Sequence, residues 1–276
     1  MSDREEGGPM SDREEGFAWQ VGVWDRISQL YWSEIDRRFA PVVDAVLARA
    51  DLQAGERVLD LGTGTGAVAE KAALAVEPGG HILAIDISPE MLALAGRRAD
   101  QASLKFQLEE GSGESIPAAD ESFDVILTSL ALMYVIDRPG AAREIARVLR
   151  PGGRLVASVW AGPDLCDIVM FQQTAGQFAP PPPVPGVGPG ALTDPQPFLE
   201  ELARAGIDAG VETEVLGFDF DDFASAWEAL AGVTTAMLTP ERQLEAQAAV
   251  QGTMWPNPSE PRHFSNMTQF IIGVRR

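Results

Sequence analysis

The segment VLDLGTGTG at residues 58–66 restricts the possible folds of this chain more than any other. A short apolar run leads into three closely spaced glycines, and a helix-forming stretch follows at 67–75. This order indicates a buried parallel strand, a tight turn and a helix that begins directly after the turn. Glycines let the backbone pass close to a ligand, and the free N–H groups of a helix N-terminus can contact it. We therefore expect an α/β domain with a ligand-binding loop at 62–66.

The alternation of strand and helix continues over the first 160 residues. Apolar runs predict further strands at 81–86, 104–108, 123–128 and 154–160. Between them the sequence favours helices, and Ser88 and Pro89 fit the cap and the first position of one of these. Strands that alternate with helices at this spacing predict a mostly parallel sheet, doubly wound by helices on both faces.

Three segments outside this alternation are expected to cap the sheet, at 17–50, 161–192 and 221–265. The first has a helical pattern that predicts two helices, with Pro41 between them. The second contains PPPPVPGVGPG, a run that excludes helix and central strand and makes the segment a candidate lid. The third is mostly helical, and strands are predicted at 211–218 and 267–274 beside it.

The first 16 residues contain a duplication. The heptapeptide MSDREEG at 1–7 recurs without change at 10–16, which has the character of a duplicated start. We expect residues 1–16 to be disordered and a single domain to occupy 17–276.

Charge and cysteine content exclude several classes of function. Asp and Glu number 41 against 21 Lys and Arg, and the net charge of −20 repels phosphate backbones and anionic membranes. We therefore expect no nucleic-acid partner and no membrane insertion, and no apolar run approaches the roughly 18 residues that span a bilayer. Cys166 is the single cysteine, which excludes an internal disulfide and a cysteine-rich metal site, so no metal is predicted. A cytoplasmic location is the default expectation.

The glycine loop alone leaves two cofactors open. The spacing of Gly62, Gly64 and Ala67 satisfies the dinucleotide fingerprint, so a nicotinamide-dependent oxidoreductase must be considered. Asp86 follows Gly66 by 20 residues, at the end of a predicted strand. A carboxylate there can accept hydrogen bonds from both ribose hydroxyls, and NAD and S-adenosylmethionine each contain an adenosine ribose.

Five ordered segments separate the two cofactors. They are VLDLGTGTG (58–66), AIDISPEML (84–92), GSGESIP (111–117), SFDVILTSLAL (122–132) and RVLRPGGRL (147–155). Together they closely resemble the class I methyltransferases, particularly the ubiquinone/menaquinone-biosynthesis-like branch that acts on small molecules. The resemblance implies a seven-stranded Rossmann-like sheet whose last strand is antiparallel, with S-adenosylmethionine as the cofactor. A member that binds this cofactor without transferring methyl, as a scaffold or other catalyst, stays an alternative.

The resemblance also implies roles for individual residues. It assigns the methionine and ribose end of the cofactor to Gly62, Thr63 and Gly64, the support of their loop to Asp60, and the ribose hydroxyls to Asp86. It assigns the adenine to Ile87 and Met91, and the methionine end also to Ser129 and Leu130. Asp60 could instead cap local N–H groups, and Met91 could be a plain core residue.

One position departs from the family pattern. Where the family commonly has Gly-Asp-Ala, with the Asp bonded to the adenine amino group, this chain has Gly111-Ser112-Gly113. Ser112 can accept the hydrogen bond from the adenine amino group, although it carries no charge, and Gly113 lies beside it. Alternatively, Glu114 can take this role.

Aromatic residues in the capping segments, and at or near the strand ends that face them, indicate the acceptor. Trp24, Tyr31, Tyr134 and Trp160 are candidates for a pocket that encloses a small, apolar or aromatic acceptor. Ser129-Leu130-Ala131-Leu132 replaces the Asn-Pro-Pro-Tyr signature of enzymes that methylate nucleobases or glutamine amides. His263 precedes the last predicted strand, so it is expected at the ligand-binding edge of the sheet, where it is a candidate base or a bystander.

Overall fold

A computed structural model describes residues 11–276 of the chain. The strands within them are β1 (Arg57–Leu61), β2 (His81–Asp86), β3 (Gln107–Glu110), β4 (Phe123–Ser129), β5 (Leu149–Trp160), β6 (Ile207–Phe220) and β7 (Arg262–Arg275). They form one sheet in the order β3-β2-β1-β4-β5-β7-β6. Strands β1 to β5 are parallel, and β7 is antiparallel to both β5 and β6. This arrangement confirms the predicted Rossmann-like sheet with an antiparallel last strand.

Helices cover both faces of the sheet because both faces are apolar. Along β1, Val58 belongs to one buried hydrophobic cluster and Leu59 to another, since successive side chains point to opposite faces. The helices are α1 (Asp12–Leu30), α2 (Asp36–Ala50), α3 (Ala67–Val76), α4 (Pro89–Ala102), α5 (Arg138–Val148), α6 (Asp167–Gly176), α7 (Gln196–Arg204), α8 (Phe223–Leu230), α9 (Gly232–Thr235) and α10 (Pro240–Met254). None of those in residues 11–276 is both long and apolar enough to cross a membrane.

The first helix begins earlier than the sequence predicts. Disorder is expected through residue 16, but residues 12–16 already belong to α1. The Ser11 hydroxyl accepts a hydrogen bond from the Glu14 N–H at 3.3 Å, and the Glu14 carboxylate accepts one from the Ser11 N–H at 2.8 Å. This reciprocal capping box stabilises the first turn. The prediction is therefore wrong for residues 12–16, and residues 1–10 lie outside the described part of the chain.

The break between α1 and α2 does not lie at Pro41. It lies at a π-helical turn, Tyr31–Ile35, and Pro41 is inside α2. Asp36, the first residue of α2, accepts a hydrogen bond from the Thr65 hydroxyl at 2.7 Å and forms an ion pair with Arg98. These contacts hold the start of α2 against the glycine loop and α4.

The last two strands form an antiparallel pair, and both are longer than the sequence predicts. They pair over their whole length, whereas the apolar pattern covers only 211–218 and 267–274. The end of β6 and the start of β7 contain exposed polar residues such as Asp219 and His263, which give no apolar signal. Strand β3 likewise begins at Gln107 rather than at residue 104.

Candidate active site

The glycine loop lies between β1 and α3 in a conformation that favours glycine. Gly62 has a φ of 70° and Gly64 a φ of 54°, both in the left-handed region. A Cβ added to Gly62 would come within 2.4 Å of the Ala131 Cβ, so no side chain fits there without movement. The N–H groups of Gly62 and Thr63 both donate to the Ile85 carbonyl at 2.9 Å, which fixes the loop against β2.

Asp86 connects the end of β2 to this loop. Its Oδ2 accepts a hydrogen bond from the Gly64 N–H at 2.8 Å, and its Oδ1 accepts one from the Ser88 N–H at 2.9 Å. The side chain is buried, and burial raises the pKa of its carboxyl, although the backbone donors oppose the shift. Two carboxylate oxygens offer about four acceptor sites, so Asp86 can still bind ligand hydroxyls.

Asp60, near the end of β1, contacts the glycine loop through Thr63 and does not line the cavity described below. Its Oδ2 accepts a hydrogen bond from the Thr63 hydroxyl at 2.6 Å, and burial raises the pKa of its carboxyl to about 7. Neither Asp60 nor Thr63 is among the lining residues. Of the two roles considered for Asp60, support of the loop is the one that these contacts favour.

A first cavity of about 750 Å³, measured out to its open mouth, lies in front of the loop at the carboxyl edge of the parallel strands. The predicted cofactor residues that line it are Gly62, Gly64, Asp86, Ile87, Met91, Ser112, Gly113, Glu114, Ser129 and Leu130. Eight further lining residues were not predicted: Phe17, Gln20, Leu61, Gly111, Thr128, Ala131, Leu132 and Val135. Most of the missed residues are neighbours of predicted ones, whereas Phe17 and Gln20 come from the distant helix α1.

Glu114 has a structural task in the wall of the first cavity. Its Oε1 accepts hydrogen bonds from the N–H groups of Ile136 and Asp137 at 2.9 and 3.0 Å. The chain forms a tight turn at Ser112, because the backbones of Ser112 and Ser115 exchange two hydrogen bonds. Both residues stay candidates for the adenine contact, and Glu114 holds one wall in place as well.

A second cavity of about 510 Å³, measured out to its open mouth like the first, adjoins it. Trp24, Tyr31, Leu130 and Tyr134 line both cavities and therefore form their common wall. The rings of Trp24 and Tyr134 meet edge to face, with centroids 4.8 Å apart. Trp160 lines the second cavity only. The four aromatic residues predicted for the acceptor pocket are thus brought together.

The lining of the second cavity is almost entirely apolar. Its remaining residues are Ile27, Leu30, Ile35, Phe39, Met133, Ile168, Gln172, Ala229, Leu230 and Val233. Met133 follows β4, and the others come from the N-terminal helices, from the segment after β5 and from α8 and α9, which belong to the capping segments. Tyr31 and Tyr134 are the lining residues that can ionise, and burial raises the pKa of both phenols.

The proline-rich segment packs against α1 and the region after β4. A Cβ added to Gly16 in α1 would come within 2.6 Å of the Val184 side chain. The Gly188 N–H donates to the Met133 carbonyl at 3.0 Å, and the Arg138 side chain donates to the Gly186 carbonyl at 2.6 Å. The candidate lid is therefore in contact with elements that line the first cavity.

His263 is not brought to either cavity. It belongs to the outer end of β7, opposite Asp219 of β6, and its Nδ1 lies 2.8 Å from Asp219 Oδ1. Its side chain is 61% exposed. The sequence assigned His263 to the correct edge of the sheet, but β7 begins beyond the end of β5 and places His263 past both cavities, so it is no candidate base for a ligand held there.

Comparison with known proteins identifies the family of the central segment. Residues 59–157 match the methyltransferase domain family. These residues form a class I methyltransferase domain, and its cofactor is S-adenosylmethionine. The match covers the loop, the end of β2 and the residues after β4. It decides against the dinucleotide reading of the glycine spacing, whereas the ubiquinone/menaquinone-like branch stays a prediction.

The proteins similar in sequence include one enzyme that is named for its reaction. Nocamycin O-methyltransferase of Saccharothrix syringae is 35% identical over 136 residues, which cover 48% of each chain. In fold, the chain is similar to the YcgJ protein of Bacillus subtilis, with a TM-score of 0.62, 23% identity, and coverage of 85% of this chain and 97% of that one. It is also similar to phosphoethanolamine N-methyltransferase 2 of Haemonchus contortus, solved with S-adenosylhomocysteine, with a TM-score of 0.57, 18% identity, and coverage of 97% and 60%. The aligned region spans less than half the length of the curated relatives, 41% to 48%.

Three observations indicate that the residues of the first cavity fit S-adenosylmethionine. Gly62 and Gly64 give a loop without side chains, and Asp86 offers a carboxylate to hydroxyl groups at its edge. Thr128 also lines the cavity, and its buried hydroxyl has no hydrogen-bond partner among residues 11–276. A polar atom of this kind is rare in protein interiors and indicates a group that a ligand completes. In the same part of the chain, no cluster of His, Cys, Asp or Glu could hold a metal ion.

Proposed function

We propose that this chain transfers the methyl group of S-adenosylmethionine to a small, apolar or aromatic acceptor. The observation that carries the proposal is the pair of adjoining cavities with a common wall of Trp24, Tyr31, Leu130 and Tyr134. The first cavity, at the glycine loop, takes the cofactor. The second, with its apolar lining, takes the acceptor. Methyl transfer requires the acceptor atom to contact the methyl group directly, so we propose that the two ligands meet through an opening between these side chains.

The residues of the first cavity hold the cofactor in a fixed orientation. Asp86 binds the ribose hydroxyls, the loop at Gly62 and Gly64 lies against the ribose and methionine parts, and Thr128 adds a hydrogen bond. S-adenosylmethionine carries its methyl group on a positively charged sulfur, so the group is already activated for in-line displacement. The protein therefore contributes mainly alignment and exclusion of water, for which a preformed site is sufficient.

The acceptor must bring its own nucleophilic atom. In the second cavity only Tyr31 and Tyr134 can exchange a proton, and burial raises the pKa of both phenols above the usual value of 10. Neither phenol is a base near neutral pH, because each is fully protonated there. We therefore expect acceptors whose reacting atom ionises by itself, such as an enol or an acidic phenol, or a neutral amine.

Binding and turnover test the proposal separately. Calorimetric titration with S-adenosylhomocysteine should give a complex in the micromolar range, and titration with NAD should give none. Release of S-adenosylhomocysteine from S-adenosylmethionine should then require an aromatic enol or phenol from a small panel of acceptors. Binding of NAD without binding of the adenosyl compound would refute the proposal. Binding of S-adenosylhomocysteine with no turnover on any acceptor would instead favour a scaffold or a catalyst that does not transfer methyl.

A further inference from the structure

One polar side chain in the second cavity has no partner. Gln172 belongs to α6 and is 6% exposed, and its Oε1 has no hydrogen-bond partner in the described chain, residues 11–276. It lines the second cavity among apolar side chains such as Ile168 and Leu230. A carboxamide that is buried without partners destabilises the folded protein, so the position calls for an explanation.

The other buried carboxamides of the described residues are all bonded. Gln20 donates to the Tyr134 carbonyl at 2.8 Å, and the Asn266 side chain accepts a hydrogen bond from the Ile168 N–H at 2.9 Å. Gln269 donates to the Thr193 carbonyl at 3.1 Å. Gln172 differs from these three because its Oε1 has no partner in residues 11–276 and because the residue lines the second cavity.

Gln172 does not belong to the wall that the two cavities share. It lines the second cavity only, whereas the wall residues Trp24, Tyr31, Leu130 and Tyr134 line both. A ligand that reacts at the wall therefore meets Gln172 with another part of its structure. A carboxamide offers both an oxygen acceptor and N–H donors, so it can pair with a hydroxyl or with a carbonyl.

We infer that Gln172 selects acceptors with two polar groups on an apolar or aromatic body. One group reacts at the common wall, and the second, a hydroxyl or a carbonyl, forms a hydrogen bond with the Gln172 carboxamide. This inference rests on the proposed function, because it takes the second cavity as the acceptor site. A site that hydrogen-bonds a buried ligand group rejects analogues that lack the group, since its own polar atoms are then left unpaired.

Binding of two probes measures this selection without the natural acceptor. The probes are 2,6-dihydroxynaphthalene, which has a hydroxyl at each end and so presents one in either orientation, and naphthalene, which has none. Both are titrated into protein saturated with S-adenosylhomocysteine, so that the first cavity is filled. The quantity of interest is the selectivity ratio, the dissociation constant of naphthalene divided by that of 2,6-dihydroxynaphthalene, measured in wild type and in Gln172→Met, a substitution that keeps the side-chain length.

A matched variant controls for changes on the same helix. Gln173→Met alters the neighbouring residue, which is exposed, lines neither cavity and lies next to Gly190. We expect the ratio to fall about five- to tenfold in Gln172→Met, as for the loss of one neutral hydrogen bond, and to stay within twofold in Gln173→Met. Wild-type affinity for S-adenosylhomocysteine should persist in both variants, which shows that they are folded.

Two other outcomes would overturn different statements. If S-adenosylhomocysteine binds but the ratio changes less than twofold in Gln172→Met, or wild type does not distinguish the probes, the inference about Gln172 is wrong and the proposed function stands. If wild type does not bind S-adenosylhomocysteine, the proposed function itself fails. Should Gln172→Met not fold, the wild-type preference for the diol over naphthalene decides alone.

Discussion

Replacement of Asp86 by Asn should abolish most of the cofactor affinity while leaving the fold intact. The carboxylate accepts hydrogen bonds from the Gly64 N–H at 2.8 Å and from the Ser88 N–H at 2.9 Å, one at each oxygen. In Asp86→Asn one of these oxygens becomes an amino group, which faces an N–H donor and cannot accept. The variant also loses the negative charge that we propose for binding the ribose hydroxyls.

The expected size of the effect follows from these contacts. A hydrogen bond to a charged group contributes about 1.5–3 kcal/mol, and Asn keeps one of the acceptor oxygens. A net loss of about 3 kcal/mol in binding corresponds to an increase of roughly 100-fold in Kd. Stability of the unliganded protein should change less, because the burial that raises the pKa of Asp86 makes its charged form costly.

Calorimetric titration with S-adenosylhomocysteine measures the affinity, and thermal unfolding measures stability. Glu110→Gln is the matched control, because Glu110 is the partner of Asp86 on β3, is exposed and lines neither cavity. It removes the same charge from the same edge of the sheet and should change Kd less than threefold. A Kd of Asp86→Asn within threefold of wild type, or an equal loss in both variants, would remove Asp86 from the ribose role.

Two further predictions concern the loop. Burial raises the pKa of Asp60 from 3.8 to about 7, so the native state binds a proton that the unfolded state has lost over this range, and stability falls as pH rises. Between pH 5 and 8 wild type should lose roughly 2–3 kcal/mol relative to Asp60→Asn in denaturant titrations, and parallel curves would contradict this. Gly62→Ala should weaken S-adenosylhomocysteine binding more than about tenfold, because its Cβ meets Ala131, whereas Gly55→Ala has a similar φ of 85° and open space, and should lower only Tm. Equal effects of the two alanines on binding would refute the steric explanation.

The cofactor half of the site was predictable because its residues lie next to the strands that carry the pattern. Asp86 ends β2, Ser129 ends β4 and Leu130 follows it, and the carboxyl ends of parallel strands meet at one edge. Apolar runs locate these strands, so the motifs after them are located too. The sequence also indicated the antiparallel last strand, through resemblance to the family and not through any local pattern.

The N-terminal contribution to the same cavity could not be predicted in this way. Phe17 and Gln20 line the first cavity, and Gln20 donates to the carbonyl of Tyr134, 114 positions away. Such a contact depends on how α1 packs against the region after β4. A local pattern can predict that α1 is a helix, but not which of its polar residues is buried.

The wrong expectation for His263 and the absence of any prediction for Gln172 have a common cause: both positions depend on how distant segments pack together. Strand β5 ends at Trp160, which pairs with Thr268, so His263 lies five residues further out, about 17 Å at 3.4 Å per residue. The order of elements along the chain predicted the correct edge. The distance of His263 from the cavity depends on how far β6 and β7 extend, and the exposed polar residues at their ends give no apolar signal of that extension. Gln172 was not predicted because a glutamine in a short helix suggests a solvent-exposed position, whereas this one is buried. Only burial in a cavity assembled from distant segments makes it a polar anchor, so the acceptor can be argued from this packing and not from the motifs that name the cofactor.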